Sequence, residues 1–285
     1  MKKILFILIA VVAGMGTIFL LSFKDDLSSG EISTEKNYKI VKRWELPKEL
    51  KEISGIEWIG ENTIACVQDE KGVIFLYDLE KSEIVNQIPF GGGGDYEGIA
   101  FLNNDAFILR SDGMIYRVNN YQSPNRTTEK IKTILMETEG LDIEGLCTDT
   151  SKNRLLLAVK EKEDGDNTSK EIYAFDLETE QLRQEPVYTL NLNAQIFDKI
   201  KEDPDKRFTP SEIEINPVTG EIYILDGSNP KLLITGKNAM PKELYFFDKN
   251  QFNKPEGLTF SPEGKLFISN EAGDEPANIL LVNLN

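Results

Sequence analysis

From residue 38 onward the chain is a succession of short apolar runs, rich in Val, Ile, Leu, Phe and Tyr and cut by Gly, Pro, Asn and Asp. Runs of that kind, with turn residues between them, predict β-strands and an all-β architecture. One pattern recurs five times: a small or acidic residue, often followed by Gly, then an aliphatic residue, any residue, and an aromatic or aliphatic one. The copies are Ser54-Gly55-Ile56-Glu57-Trp58, Glu97-Gly98-Ile99-Ala100-Phe101, Glu144-Gly145-Leu146-Cys147-Thr148, Ser211-Glu212-Ile213-Glu214-Ile215 and Glu256-Gly257-Leu258-Thr259-Phe260. They are spaced by 43, 47, 67 and 45 residues. A four-stranded propeller blade takes about 40–50 residues, so each copy reads as the first strand of one blade.

A turn and further β-rich runs follow each copy. Second strands are expected over 106–109, 221–225 and 265–269, and third strands over 73–79, 114–118, 172–177, 232–235 and 279–284. Fourth strands are expected over 84–88, 130–135, 186–190 and 243–247. The 67-residue interval also holds an acidic loop at 162–167 and a predicted short helix near 194–201. The last repeat supplies only three strands before Asn285. Residues 38–44 can provide the missing one, and a ring closed in that way leaves no free sheet edge. The prediction is a five-bladed β-propeller with four-stranded blades over residues 38–285, closed by an N-terminal strand.

The first 37 residues do not fit this pattern. Lys2 and Lys3 precede an uncharged stretch over 4–23. A helix of that length spans about 30 Å, the hydrocarbon thickness of a bilayer. The stretch exceeds the roughly 7–15 residues of a signal-peptide core and ends without a small-x-small cleavage site. The expectation is therefore an uncleaved signal anchor over 1–23, a single-pass transmembrane helix with its lysines in the cytoplasm. A polar tether over 24–37 follows, with no periodicity. The propeller would then lie on the extracytoplasmic (periplasmic) side of the cell membrane. Secretion after signal cleavage is the alternative.

The formal net charge of −16 disfavours nucleic acid and anionic surfaces as partners and favours cations or basic groups. Histidine is absent, which excludes triads and dyads with a His base and His-based zinc or iron sites. Cys66 and Cys147 lie within apolar strand patterns without a CxxC, and are expected to be buried free thiols.

What carries chemistry is the acidic residues. Fifteen residues after the first repeat position stand Asp69, Asp112, Asp226 and Glu271; in the third repeat Glu161 stands seventeen on. First and second strands of a blade form an antiparallel hairpin, so the start of one and the end of the other share an end. The first strand lines the channel. Glu97, Glu144 and Glu256 should therefore crowd at the channel mouth, with Ser54 and Ser211 in the other two repeats and the second set slightly outward. Crowded carboxylates must be protonated, solvated, or matched by cations or N–H donors. Three readings stay open: structural acids stitching the blades, a calcium site shared by Glu97, Glu144 and Glu256, or direct contact with an organic ligand. Oxygen-only ligands without His suit a hard cation, Ca2+ best. Lys160, Arg110, Arg154 and Lys254 could bind an anion. Gly91–Gly94 reads as a pliable blade linker.

The Glu-Gly-Ile/Leu starts, the Ser-Gly-Ile-Glu-Trp first repeat and the hydrophobic N-terminal segment together resemble the SdiA-regulated, YjiK-like family, over roughly residues 38–285. The resemblance implies a five-bladed propeller distantly related to NHL-repeat proteins, associated with calcium binding and without an established catalytic activity. Glu97, Glu144 and Glu256 are the positions it would carry over as ligands. The function expected is a membrane-tethered calcium-binding module with a carboxylate face for a protein or small-molecule ligand. The alternative is a calcium-dependent hydrolase of a phosphate ester or lactone, with a carboxylate such as Asp112 or Glu271 as base.

Overall fold

A computed structural model describes residues 37–133, 141–162, 168–201 and 207–285. The expected membrane helix, the tether up to residue 36 and the acidic loop at 163–167 lie outside the described residues. Among the described residues no helix is long and apolar enough to cross a membrane.

Five antiparallel sheets make up the fold. Blade 1 is β2 (Ile53–Gly60), β3 (Thr63–Gln68), β4 (Lys71–Asp78) and β5 (Glu83–Gly93). Blade 2 is β6 (Tyr96–Leu102), β7 (Asp105–Arg110), β8 (Ile115–Asn119) and β9 (Thr127–Ile131). Blade 3 contains β10 (Leu141–Asp149), β11 (Arg154–Lys162) and β12 (Ser169–Asp176), and its outer position is shared by β13 (Gln181–Leu182) and β14 (Tyr188–Asn191). Blade 4 is β15 (Pro210–Ile215), β16 (Ile222–Asp226), β17 (Lys231–Thr235) and β18 (Pro241–Phe246). Blade 5 is β19 (Pro255–Phe260), β20 (Leu266–Asn270), β21 (Asn278–Leu284) and, outermost, β1 (Tyr38–Glu45). The inner strands touch in a closed cycle, β2 to β6 to β10 to β15 to β19 and back to β2. The expected ring of five four-stranded blades is what forms.

Ring closure by the N-terminal strand is also as expected. β1 pairs antiparallel with β21 from Tyr38↔Leu284 to Glu45↔Asn278. Trp44 lies at the seam between the last blade and the first: its indole N–H donates to the Leu79 carbonyl at 2.7 Å, and its ring lies 6.0 Å from that of Phe267.

The core consists of five apolar clusters, one at each blade–blade seam. This is why the strands read as nearly continuous apolar runs: a blade is covered on both faces. In β16, Ile222 and Ile224 face blade 3 while Tyr223 and Leu225 face blade 5. The recurring Gly of the repeat answers to the same crowding. A Cβ on Gly98 would come within 2.6 Å of Leu146 Cβ, and one on Gly257 within 2.5 Å of the Ser54 carbonyl oxygen. Neighbouring inner strands approach too closely there for any side chain.

Three local expectations change or sharpen. The outer strand of blade 3 is split, with Pro186, which has no N–H to give a ladder, between its two pieces. The predicted short helix is a 3₁₀ turn over Gln195–Phe197 running into a helical turn over Asp198–Lys201. Gly91–Gly93 are not a pliable linker: they extend β5, and the Tyr96 hydroxyl donates to the Gly92 carbonyl at 3.0 Å. Cys66 and Cys147 are buried free thiols, as expected.

Candidate functional site: carboxylates along the propeller axis

Each inner strand is bulged at its start. The register slips between Ile53 and Ile56, Tyr96 and Gly98, Ile143 and Gly145, Pro210 and Glu212, and Pro255 and Leu258. A bulge adds a residue to one strand and re-aims its side chain. The first repeat positions, Ser54, Glu97, Glu144, Ser211 and Glu256, all sit in these bulges. The pairings Tyr96↔Arg110 and Pro255↔Asn270 place the ends of the second strands at the same mouth.

Glu97, Glu144 and Glu256 come together at this mouth. Burial pushes the Glu97 carboxyl up to about 9, and the charges of Glu144, Asp95 and Glu256 add to it. Glu144 is raised to about 8 by burial and by Glu256, against the pull of Lys160. Glu256 is raised to about 7 by burial, against Lys254 and with Glu271. Lys160 ion-pairs with Glu144 and lies 3.8 Å from Asp142, while Lys254 reaches Glu256 at 3.1 Å and Glu271 at 2.7 Å. Two of the three glutamates thus have a lysine and Glu97 has none among the described ion pairs. Even so, Glu144 Oε2 is buried without a hydrogen-bond partner.

Ser54 and Ser211 hold the corresponding bulge positions of blades 1 and 4. Both are buried, and the Ser211 hydroxyl donates to the Pro255 carbonyl at 3.2 Å, stitching blade 4 to blade 5. The second acidic set is equally divided. Asp69 joins the mouth: its carboxyl rises to about 6 through burial and the charges of Glu52, Glu271, Glu70 and Asp95, and its Oδ1 is buried without a partner. Asp112 is held below the usual carboxylate range by Arg110, whose Nε lies 2.9 Å away. Glu161 is exposed opposite Asp142 on the neighbouring strand. Asp226 is wholly buried and accepts from the Thr209 amide and hydroxyl and the Asn229 amide, with Lys231 at 2.9 Å. Asp226 is thus structural, a tie between loop and strand. Glu271 is taken by Lys254.

The basic residues considered for an anion are therefore occupied. Lys160, Lys254 and Arg110 hold the mouth carboxylates, and Arg154, 6% exposed, is paired with Asp149 at 2.8 Å. Asp112 and Glu271, the bases a hydrolase would use, are both in ion pairs. As for a metal, the donors at the mouth are all oxygens and the orphaned Glu144 Oε2 fits a hard cation in its chemistry. Among the described residues, however, no group of three or more His, Cys, Asp or Glu is gathered as a ready metal site.

The sequence reading missed the carboxyls deeper in the channel. Glu212 stands where the other repeats have Gly, is 1% exposed, and accepts from the Leu146 and Ile213 amides at 2.8 and 2.9 Å. Its Oε2 is buried without a partner. Glu57 and Glu214 occupy the fourth repeat position of blades 1 and 4 and line one cavity. Both are raised, first by burial. The signal was available: the fourth positions read Glu57, Ala100, Cys147, Glu214 and Thr259, and the two acids fall in the two repeats that begin with Ser.

A sequence profile of the SdiA-regulated family matches residues 33–276. No curated protein matches the sequence. Among solved structures, the glutaminyl cyclase of Myxococcus xanthus superposes with a TM-score of 0.58 at 13% identity, over 87% of this chain and 96% of that one. The PQQ-bound aldose sugar dehydrogenase of Streptomyces coelicolor gives 0.53 at 12%, over 86% and 97%. A protein of unknown function from Bacteroides thetaiotaomicron gives 0.51 at 15%, and this chain covers 77% of itself and 52%, about half, of that protein. At these identities the likeness is one of fold.

Proposed function

The chain belongs to the SdiA-regulated family, and from that premise we propose that it is a membrane-tethered, extracytoplasmic β-propeller whose carboxylate mouth binds a hard cation, calcium, and through it a protein or small ligand. One observation carries the reading. Glu97, Glu144 and Glu256 stand together at the bulged strand starts with carboxyls raised to about 9, 8 and 7, and Glu144 Oε2 has no partner. The positive charge supplied by Lys160 and Lys254 is too little for the acids around them. A cation that displaces the lysines would exchange for the protons that these carboxyls otherwise hold. Three carboxylates fall short of the roughly 6–8 oxygens calcium takes, so water and backbone oxygens complete the shell.

The test is thermal denaturation of the full chain with calcium, with magnesium and with chelator. At a hundredfold excess over its dissociation constant, calcium stabilises by about 2.7 kcal/mol. Glu144→Gln keeps the size and one oxygen, and should blunt that response. If calcium and chelator leave the Tm unmoved and calorimetry shows no heat, the acids are structural. The tether is tested separately: a reporter after Asn285 should be exported, and the mature protein should retain residues 1–23.

A further inference from the structure

The end of the channel opposite the carboxylate mouth holds a second, unrelated chemistry. There the β10–β11 and β15–β16 turns surround a cavity of about 450 Å³, within the range of small-molecule sites. Phe101, Tyr188 and Phe260 supply apolar and aromatic wall. At its inner end lie Glu57, Glu214 and Thr259. The two carboxyl groups enter the same cavity from blade 1 and from blade 4.

Burial raises both carboxyls, that of Glu57 to about 7, and the charge of Glu57 raises Glu214 further. One oxygen of each is already engaged. Thr259 Oγ1 donates to Glu57 Oε2 at 3.1 Å, and the Ile215 amide donates to Glu214 Oε1 at 2.6 Å. Glu212, on the same inner strand as Glu214, repels both glutamates, and the neighbouring Cys147 thiol is kept neutral by burial. Asp149 is neutralised by Arg154. The cavity's two lysines, Lys152 and Lys237, come from surface turns and are exposed; Lys152 and Arg154 both donate to the Tyr188 hydroxyl at 3.2 Å, which holds their charge at the Tyr188 side of the cavity. Glu212 adds an independent sign of missing positive charge: its Oε2 is buried in the channel wall without a partner.

We propose that this cavity binds a small organic ammonium ion, whose N–H groups donate to Glu57 and Glu214 while its carbon body lies against Phe101, Tyr188 and Phe260. A protonated amine brings two or three donors and one positive charge, which is what the facing carboxyls lack. Its apolar part gains from leaving water for the aromatic wall. No covalent bond is made or broken; the ligand enters as a cation and the proton held by the raised carboxyls leaves to solvent. The site is separate from the calcium mouth and does not depend on it.

Isothermal titration calorimetry of the full chain with benzylamine, piperidine and putrescine tests the assignment, with benzyl alcohol as the neutral control. At about pH 7 at least one amine should bind with a dissociation constant of about 1 mM or tighter. Its heat should vary with the buffer's ionisation enthalpy in the sense of proton release. Benzyl alcohol should not bind. Glu57→Gln and Glu214→Gln should each weaken the amine at least tenfold, while Glu144→Gln at the mouth leaves it unchanged. The Glu214→Asp variant, which keeps the charge, guards against a fold defect and should retain measurable binding. The proposal is overturned if no amine binds, if amine and alcohol bind alike, if binding takes up protons, or if Glu144→Gln abolishes it.

Discussion

Glu97→Gln should make the propeller more stable at neutral pH, and the gain should vanish in acid. The wild-type carboxyl is raised from 4.5 to about 9, chiefly by burial and then by Glu144, Asp95 and Glu256. In the unfolded chain it ionises near its ordinary value. Between roughly pH 4.5 and 9 the folded state therefore holds a proton that the unfolded state has released, and stability falls as pH rises through that window. At pH 7 the difference spans about 2.5 units, or about 3 kcal/mol at ~1.36 kcal/mol per unit, as an upper bound. Local relaxation and water entry reduce this, and about 1–3 kcal/mol is the expected gain for the amide, which mimics the protonated acid. Urea midpoints in chelator, for both proteins at about pH 5 and pH 8, measure it. Saturating calcium should reverse the order, since the ion needs the carboxylate. If Glu97→Gln is destabilising in chelator, or its effect is the same at both pH values, the carboxyl is not held protonated and the charge argument at the mouth fails.

Two further substitutions test the ring. Trp44→Ala removes a side chain that is 6% exposed and leaves the Leu79 carbonyl without its indole donor; a loss of about 3–5 kcal/mol is expected in chemical denaturation, and a loss below about 1 kcal/mol would mean β1 does not close the ring. Gly98→Ala puts a Cβ within 2.6 Å of Leu146 Cβ and 3.0 Å of the Glu144 carbonyl oxygen; it should lower stability by about 1–3 kcal/mol, whereas Gly92→Ala, with nothing within 4 Å, should stay within about 1 kcal/mol.

The blade count was legible because the repeat is anchored by packing. Gly55, Gly98, Gly145 and Gly257 recur where inner strands touch, and the aliphatic third position recurs where a seam must be filled. The role of residues 38–44 was legible by subtraction, since the last repeat is one strand short. What was not legible is how charges are paired. Lys254 stands two residues before Glu256 but Lys160 sixteen residues after Glu144, and only the bulged register brings their ammonium groups onto these acids. Asp226 and Asp69 hold the same place in the repeat and end in opposite conditions. Thr209 and Lys231 happen to reach one, while the second is raised by burial and by the acids Glu52, Glu271, Glu70 and Asp95.

The departures from the repeat follow a rule that spacing alone did not reveal. Blades 2, 3 and 5 carry Glu at the first position and a neutral residue, Ala100, Cys147 or Thr259, at the fourth. Blades 1 and 4 carry Ser54 or Ser211 at the first and Glu57 or Glu214 at the fourth. Each inner strand thus has one carboxyl at one of the two places, and of these five, three stand at one end and two at the other. Five acids at a single level would repel at about 4 kcal/mol for each pair at 4 Å and an effective dielectric of 20. Division between two levels lowers that repulsion and leaves groups of different size. A group of three with lysines nearby suits a cation that brings its own hydration. The pair beside aromatic walls suits a cation that carries an apolar body. Ser54 and Ser211 are then no defects of a five-membered ring: they mark the blades whose carboxyl serves the other end of the channel.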